Sequence, residues 1–172
     1  MLSVQTGASL SRCVVRHYTY EIFYHQVVAR RSEEPVAAND KYCRYMESIE
    51  SSLSSDLKRL HWEVSLHDSH LRRLHFSDGT LELRLDGERI DKGKYSSGSR
   101  KFRLTYRDVR SLISTGDPKK GLAGPYGYGD LGYDEIEVLT AGLFEHRILF
   151  SSGIELQVRF ADFTLYYDDH AS

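Results

Sequence analysis

The spacing of the hydrophobic residues changes partway along the chain. From Tyr42 to Leu60 they recur every three or four positions, which predicts an amphipathic helix. From Leu74 to Leu85 they alternate with polar residues, which predicts β-strands. Helices first and strands afterwards predict an α+β fold, with one or two N-terminal helices packed on a mostly antiparallel β-meander sheet of six to eight strands.

The helical part contains one clear segment and one ambiguous segment. Asn39 or Asp40 can cap a single long helix that continues to Leu60, after a break at Pro35. Residues 17–31 fit either a strand or a helix, and we favour the helix. The expected organisation is a disordered N-terminus over 1–16, a helical arm over 17–61 and an antiparallel β domain over 62–172, with arm and β domain forming one compact unit.

Turn residues divide the β domain into strands. Asp78-Gly79 lies between two alternating segments and predicts a hairpin with a two-residue turn. We expect a polar loop over Lys92–Arg100 and a third strand over Phe102–Tyr106, while Val109–Ile113 either extends that strand or turns a corner. Further strands are expected around Ile136, Phe144–Phe150, Leu156–Phe160 and Phe163–Tyr167.

Composition narrows the classes of function. The chain has 172 residues, of which 40% are hydrophobic and 28% charged, and its formal net charge is −2. These values suit a soluble domain with its own core and give no electrostatic reason to expect nucleic acid or a membrane as partner. No apolar run reaches membrane-spanning length. Because Cys13 and Cys43 are the only cysteines, a disulfide framework is disfavoured and a cytoplasmic location is expected.

Histidines concentrate where the helical spacing gives way to the strand spacing. Imidazole and carboxylate groups bind zinc, iron or manganese, so a metal site here would use His67, Asp68 and His70, with a distant His146. In an extended segment, however, His67 points away from both Asp68 and His70, and only a local turn would bring them together. We therefore expect no metal and no cofactor, and predict a polar junction in which Asp68 or Ser69 accepts backbone N–H groups.

Glycine and tyrosine alternate in the longest glycine-rich region. Tyrosine supplies contact area at a low entropic cost and glycine permits adaptation, so we expect a binding loop for another protein that uses Tyr126, Tyr128, Asp130 and Tyr133. A flexible connector is the alternative. The same region contains Gly-x-Gly-x-x-Gly over 127–132, but it neither follows a strand nor opens a helix, which argues against dinucleotide binding.

A group of carboxylates follows this loop. Asp130, Asp134, Glu135 and Glu137 can perform acid–base chemistry if their surroundings separate their pKa values. Glu135 and Glu137 nevertheless alternate with apolar residues, which is typical of the solvent-exposed face of a strand. We therefore predict no catalytic residues in this group.

Three features carry a resemblance to known proteins: the motif Leu-His-Asp-Ser-His-Leu over 66–71 after a helix, the Asp-Gly hairpin, and the later segment Tyr-Asp-Glu-Ile over 133–136. In these features residues 40–165 resemble a loose group of uncharacterised bacterial proteins with a helical lead and a β-meander, some of which look like immunity proteins of toxin systems. The resemblance implies a bacterial cytoplasmic protein and no established catalysis.

Three hypotheses of function follow. The leading one is a non-enzymatic protein-binding module, of an immunity or regulatory kind. The second is a small metal-dependent or acid–base hydrolase centred on His67, Asp68 and His70. The third is a structural subunit that forms a homodimer through a strand edge or the helix stripe.

Overall fold

The computed structural model describes residues 33–91, 94–115 and 127–167. In this part of the chain, two α-helices precede eight strands, which form two antiparallel four-stranded sheets. The predicted α+β class is confirmed, and the strands divide between two sheets where one meander was expected. The predicted disordered segment 1–16 and the predicted helix over 17–31 lie outside the described residues.

The single long helix that the hydrophobic spacing predicts is two helices. Helix α1 spans Glu33–Ile49, a 3-10 turn spans Glu50–Ser52, and helix α2 spans Ser55–Glu63. Leu53 has an extended backbone, and the Ser54 hydroxyl accepts the Leu57 N–H at 3.3 Å as the cap of α2. Serine side chains compete for backbone N–H groups, which explains a break that apolar spacing alone does not reveal.

Helix α1 also begins earlier than expected. Asn39 and Asp40 lie inside it, so neither is its N-cap, while Pro35 lies in its first turn. Proline is tolerated there because the first N–H groups of a helix have no intrahelical acceptor.

The strand bounds follow the alternating segments closely. The strands are β1 His70–Ser77, β2 Thr80–Asp91, β3 Lys94–Arg107, β4 Ser111–Ser114, β5 Leu131–Thr140, β6 Leu143–Phe150, β7 Glu155–Phe160 and β8 Asp162–Tyr167. The hairpin is confirmed, with positive φ at Asp78 (50°) and Gly79 (72°), as a primed two-residue turn requires. The prediction of a polar loop over Lys92–Arg100 was wrong, because β3 already begins at Lys94.

Two strands pass from one sheet to the other at a shared corner. The first sheet has the order β1-β2-β3-β8 and the second has β4-β7-β6-β5. At the corner, Arg110 N–H donates to the Arg159 carbonyl at 2.8 Å and Ala161 N–H to the Arg107 carbonyl at 3.3 Å. Along the chain, β3 is followed by β4 and β7 is followed by β8. The pair β3 and β8 of the first sheet is therefore continuous with the pair β4 and β7 of the second, and the segment after Val109 turns the corner.

The helices cover one edge of each sheet. On β5, Tyr42 Oη accepts the Ile136 N–H at 2.6 Å and Tyr45 Oη accepts the Val138 N–H at 3.2 Å. On β8, the Asp56 carboxylate accepts the Leu165 N–H at 3.1 Å. These bonds satisfy backbone groups that an open edge would offer to another chain.

Helices and sheets share one hydrophobic core. Met46 and Leu57 of the helices belong to the same buried cluster as Leu83 of the first sheet and Ile148 of the second. In the part of the chain that the structure describes, the helical arm therefore packs directly on the β domain.

Candidate functional site

A turn joins α2 to β1 at the histidine-rich stretch. Asp68 has a positive φ of 62°, and the His67 Nδ1 and Asp68 Oδ2 atoms lie 2.9 Å apart. The local turn that would unite these side chains is therefore present. Asp68 N–H donates to the Leu131 carbonyl and the Ser69 carbonyl accepts the Leu131 N–H, at 2.9 and 2.8 Å. The junction thus anchors the start of β5, and Ser69 accepts through its carbonyl.

His70 pairs with a residue from the glycine-rich region. His70 Nδ1 lies 2.5 Å from Asp130 Oδ1, and the two residues form an isolated bridge between the first and second sheets. About half of each side chain is exposed, so the pair contributes little to stability. Among the described residues, no three His, Cys, Asp or Glu side chains are grouped to hold a metal ion. His146, the fourth candidate ligand, lies in the core.

His146 belongs to a chain of buried polar groups between the sheets. Tyr106 Oη on β3 lies 2.7 Å from His146 Nδ1 on β6, and His146 Nε2 lies 3.0 Å from Asp134 Oδ2 on β5. Tyr106 and His146 have no exposed surface, whereas the Asp134 side chain is 26% exposed. Burial and, second, the charge of Asp134 raise the pKa of Tyr106 well above its usual range. Because a carboxylate only accepts, Asp134 pairs with Nε2–H, and in that tautomer the neutral Tyr106 hydroxyl donates to Nδ1.

The chain of polar groups Tyr106, His146 and Asp134 contains the same kinds of side chain as a catalytic relay, but its hydroxyl is not accessible. In a Ser-His-Asp triad the hydroxyl faces the substrate. Here the Tyr106 hydroxyl is closed inside the core, so the three groups serve as a cross-link between the sheets. The sequence could have indicated this buried position, because His146 shares the apolar face of β6 with Phe144 and Ile148.

A compact charged cluster covers the other face of the second sheet. Arg147 Nη2 bonds to Glu137 Oε2 at 2.8 Å, contacts Glu145, and Arg147 Nη1 lies 3.9 Å from Glu135. Glu145 also receives a 2.6 Å bond from Arg159. Burial alone would raise the pKa of Glu145, but the Arg159 hydrogen bond and the Arg147 charge outweigh it, so its pKa lies below its ordinary value.

The expectation of a solvent-exposed strand face here was wrong. Glu135 is 3% exposed and Glu145 is fully buried. Alternation correctly predicts that Glu135 and Glu137 point away from Ile136, but it does not reveal that Arg147 lies between them. A cavity of about 460 Å³ opens beside the cluster, between α1 and β5, with Lys41 and Tyr45 in its wall. The arginines supply counter-charges to the carboxylates.

The residues of the expected binding loop have separate environments. Tyr126 lies outside the described residues. Tyr128 is 1% exposed, and its ring centroid lies 4.8 Å from that of Phe150, which makes it a core side chain. Tyr133 is partly covered, and burial raises its pKa. Asp130 bonds to His70 as described above. That this loop binds a protein stays a prediction.

Gly129 in this region should not tolerate a side chain. Its φ is +74°, and a Cβ would overlap the Ser151 hydroxyl, which accepts the Asp130 N–H at 2.9 Å. We expect Gly129→Ala to lower the free energy of unfolding by about 2–3 kcal/mol, measured by urea denaturation. Gly142→Ala is the matched control, because Gly142 has the same φ and open space around it, and should cost only about 1–2 kcal/mol. Equal losses would show that the overlap does not matter.

The outer face of the first sheet carries a row of arginines. Arg73 of β1 lies directly opposite Arg84 of β2, which lies opposite Arg103 of β3, which in turn lies opposite Tyr166 of β8. We call Arg73, Arg84 and Arg103 the arginine row. Neighbouring strands are about 4.8 Å apart, and like charges directly opposite each other destabilise a sheet. Glu82 bonds to Arg84 at 2.7 Å, which offsets part of this repulsion, and the remaining positive charge of the row can bind an anion.

A shallow groove of about 390 Å³ lies on this face. Arg72, Arg84, Lys101, Arg103, Asp86 and Tyr166 contribute to its lining. Arg72 bonds to Asp86 at 2.8 Å, and the Arg103 guanidinium carbon lies 4.7 Å from the centroid of the Tyr166 ring. Tyr166 is 50% exposed, one of two large hydrophobic residues with such exposure among the described residues. An arginine held over an aromatic ring is preorganised to bind a carboxylate.

The sequence analysis did not predict the arginine row, because the row depends on the register in which the strands pair. Alternation places Arg84 and Arg103 on polar faces of their strands. The pairing of β2 with β3 aligns Arg84 with Arg103, and the regular register from the Asp78-Gly79 turn aligns Arg84 with Arg73. Counting from the two-residue turn at Asp78-Gly79 would have predicted that Arg73 lies near Arg84.

Comparisons with known proteins bear on the family of the chain and not on its activity. None of the helices among the described residues has the length and apolar character needed to cross a membrane. No curated protein and no solved structure matches the chain. The expected kinship with proteins of unknown function is confirmed, while a likeness to immunity proteins stays a prediction. Residues 23–166 match the model of the family described as "Protein of unknown function (DUF4085)", and the chain therefore belongs to that family.

Proposed function

We propose that this protein is a non-enzymatic binding module that holds an acidic segment of another protein on the outer face of its first sheet. The observation that carries this proposal is the arginine row. Glu82 offsets only part of the repulsion among the three guanidinium groups in the free protein, and carboxylates of a partner would relieve the rest. Arginine binds carboxylates in a bidentate geometry, which adds specificity to the attraction.

Several features favour a protein over a nucleic acid as the partner. Single-stranded nucleic acids bind to platforms on which several aromatic side chains stack with bases. The groove contains one exposed aromatic ring, Tyr166, and Arg103 already covers it. Glu82 and Asp86 interrupt the cations, so the face has no continuous positive track of the kind that a nucleic-acid backbone follows. The formal net charge of −2 also disfavours long-range attraction of a polyanion.

The proposed biological role is regulatory. A module that covers an acidic segment of its partner can block that segment's other interactions, as an immunity or regulatory protein of a bacterial cytoplasm would. The open position of the row supports binding, since enzymes gather their reactive groups in a pocket that excludes water.

Binding of a defined acidic peptide tests this proposal. The probe is a fluorescent ten-residue peptide of alternating glutamate and valine, and the measurement is its anisotropy on titration with the protein at low and at physiological ionic strength. We expect saturable binding that weakens with salt. Arg73→Gln combined with Arg103→Gln should weaken it by about tenfold or more, since the positive charge at both ends of the row is lost.

A matched variant distinguishes the effect of the arginine row from the effect of total charge. Arg44→Gln combined with Arg110→Gln removes the same charge from exposed positions outside the row and should change the affinity less than about twofold. Equal weakening by both double variants, or no peptide binding, would overturn the proposal. Tighter binding of a single-stranded RNA of equal length would assign the face to nucleic acid.

A further inference from the structure

Strand β1 has an edge that another strand can join. The Tyr42 and Tyr45 hydroxyls cover the edge of β5, and Asp56 covers that of β8. On β1, the bridge to Asp130 occupies the edge only at His70. For the described residues, no helix or strand pairs with the outer side of β1 beyond that bridge. Residues 73–77 pair regularly with β2 on the inner side.

The register shows which backbone groups point to the open side. Ser77 and Thr80 flank a two-residue turn and therefore form a hydrogen-bonded pair. Alternation then directs the N–H and C=O groups of Ser77, His75 and Arg73 toward β2. The corresponding groups of Phe76 and Leu74 point outward, away from β2.

The side chains at this edge alternate in chemistry. Arg73 and His75 are exposed on the outer face, where Arg73 begins the arginine row. Leu74 and Phe76 are only partly buried at the margin of the core. A segment lying along β1 would place its own alternate side chains beside these two surfaces.

We propose that the acidic segment binds as an added antiparallel strand on the edge of β1. This inference rests on the proposed function, places the bound stretch at the Arg73 end of the arginine row, and specifies the sequence pattern of that stretch. Acidic residues at alternate positions lie beside Arg73 and His75, and the apolar residues between them cover Leu74 and Phe76. Backbone bonds to Leu74 and Phe76 supply affinity, and the alternating side chains supply specificity.

The charges on β1 select against a second copy of this chain. Charged side chains and bulges protect edge strands from self-association, and β1 has Arg73 and a bulge after Leu71. The bulge lies at the His70 end and leaves residues 73–77 regular. If the β1 strands of two copies paired antiparallel, Arg73 of one copy would lie against cationic side chains of the other. The glutamates of an acidic segment would instead be attracted to Arg73.

Alternate N-methylation of the peptide tests the mode of binding. In an antiparallel pair, the peptide residues that bond to Leu74 and Phe76 have side chains on the same face as those two residues, so they are the valines. Methylating two valine nitrogens removes these donors, while methylating two glutamate nitrogens alters groups on the free side. The isomers have equal charge and composition. We expect about tenfold weaker binding of the valine-methylated peptide and little change for the other.

Amide hydrogen exchange provides a second measurement on the protein. Adding the unmodified peptide should slow the exchange of Leu74 and Phe76 and leave Gly142 in the β5–β6 turn unchanged. If both methylated peptides bind equally, or the Leu74 and Phe76 amides stay unprotected, the added strand is wrong, although the double arginine variant can still support the proposed function. A dimer that protects these amides without peptide would also overturn it, and failure of the unmodified peptide to bind would overturn both.

Discussion

Replacing Arg147 with methionine should lower the free energy of unfolding by about 3–5 kcal/mol. Arg147 contacts Glu135, Glu137 and Glu145, and its own side chain is only 10% exposed. Methionine keeps much of the volume but leaves these carboxylates without their common cation. Breaking a buried pair by removing one partner is costly because the remaining charge has lost both water and counter-ion. Urea denaturation at neutral pH measures the loss.

Arg159 provides the matched control for this prediction. It bonds to the same Glu145, but its side chain is 45% exposed, so Arg159→Met should cost about 1 kcal/mol. The contrast depends both on burial and on the number of carboxylates that each arginine contacts, which is three for Arg147 and one for Arg159. A loss below about 1 kcal/mol in Arg147→Met would show that water reaches the cluster and screens it.

The penalty of Arg147→Met should also depend on pH. In the folded protein the pKa of Glu145 is below its ordinary value, so this group stabilises the fold above its unfolded-state pKa of 4.5 and loses that contribution as pH falls. Without Arg147, the folded-state pKa of Glu145 rises. The difference in unfolding free energy between wild type and variant should therefore be largest at neutral pH and shrink below about pH 4. A difference that is constant with pH would contradict the electrostatic cause.

Local pattern predicts those parts of the fold that local physics determines. Period-two alternation and the Asp78-Gly79 turn yield the first hairpin because a primed turn fixes both its geometry and its register. The apolar stripe from Tyr42 to Leu60 correctly predicts a helical face on the core. It does not reveal the break at Ser54, since a serine cap changes the backbone without changing which residues are apolar.

The candidate binding face depends on pairing between distant segments. Arg84 and Arg103 become neighbours only because β2 and β3 pair in one particular register, nineteen positions apart in sequence. The edges covered by Tyr42 and Asp56 likewise involve contacts across about a hundred residues. Composition does not predict a cationic face either, because the chain as a whole is slightly acidic. Surface chemistry of this kind is a property of topology, which single-sequence patterns do not specify.

The polar chain through the core should be costly to interrupt. His146→Leu leaves the Tyr106 hydroxyl without its partner inside the core and removes the bond to Asp134. We expect the free energy of unfolding to fall by about 2–4 kcal/mol, of which an unsatisfied buried hydroxyl accounts for about 1–3 kcal/mol. Urea denaturation at neutral pH is again the measurement, and an unchanged midpoint would mean that leucine packing replaces the cross-link.

Removing both polar partners distinguishes pairing from packing. Tyr106→Phe combined with His146→Leu leaves no orphaned hydroxyl, so the double variant should be about 1–2 kcal/mol more stable than the sum of the single losses implies. Alkaline titration gives an independent check on Tyr106. Its folded-state pKa lies above the unfolded value of 10, so its contribution is full below pH 10 and is lost as pH rises beyond it. Wild type should therefore lose stability above pH 10 more steeply than Tyr106→Phe, because phenylalanine has no proton to release in the unfolded chain.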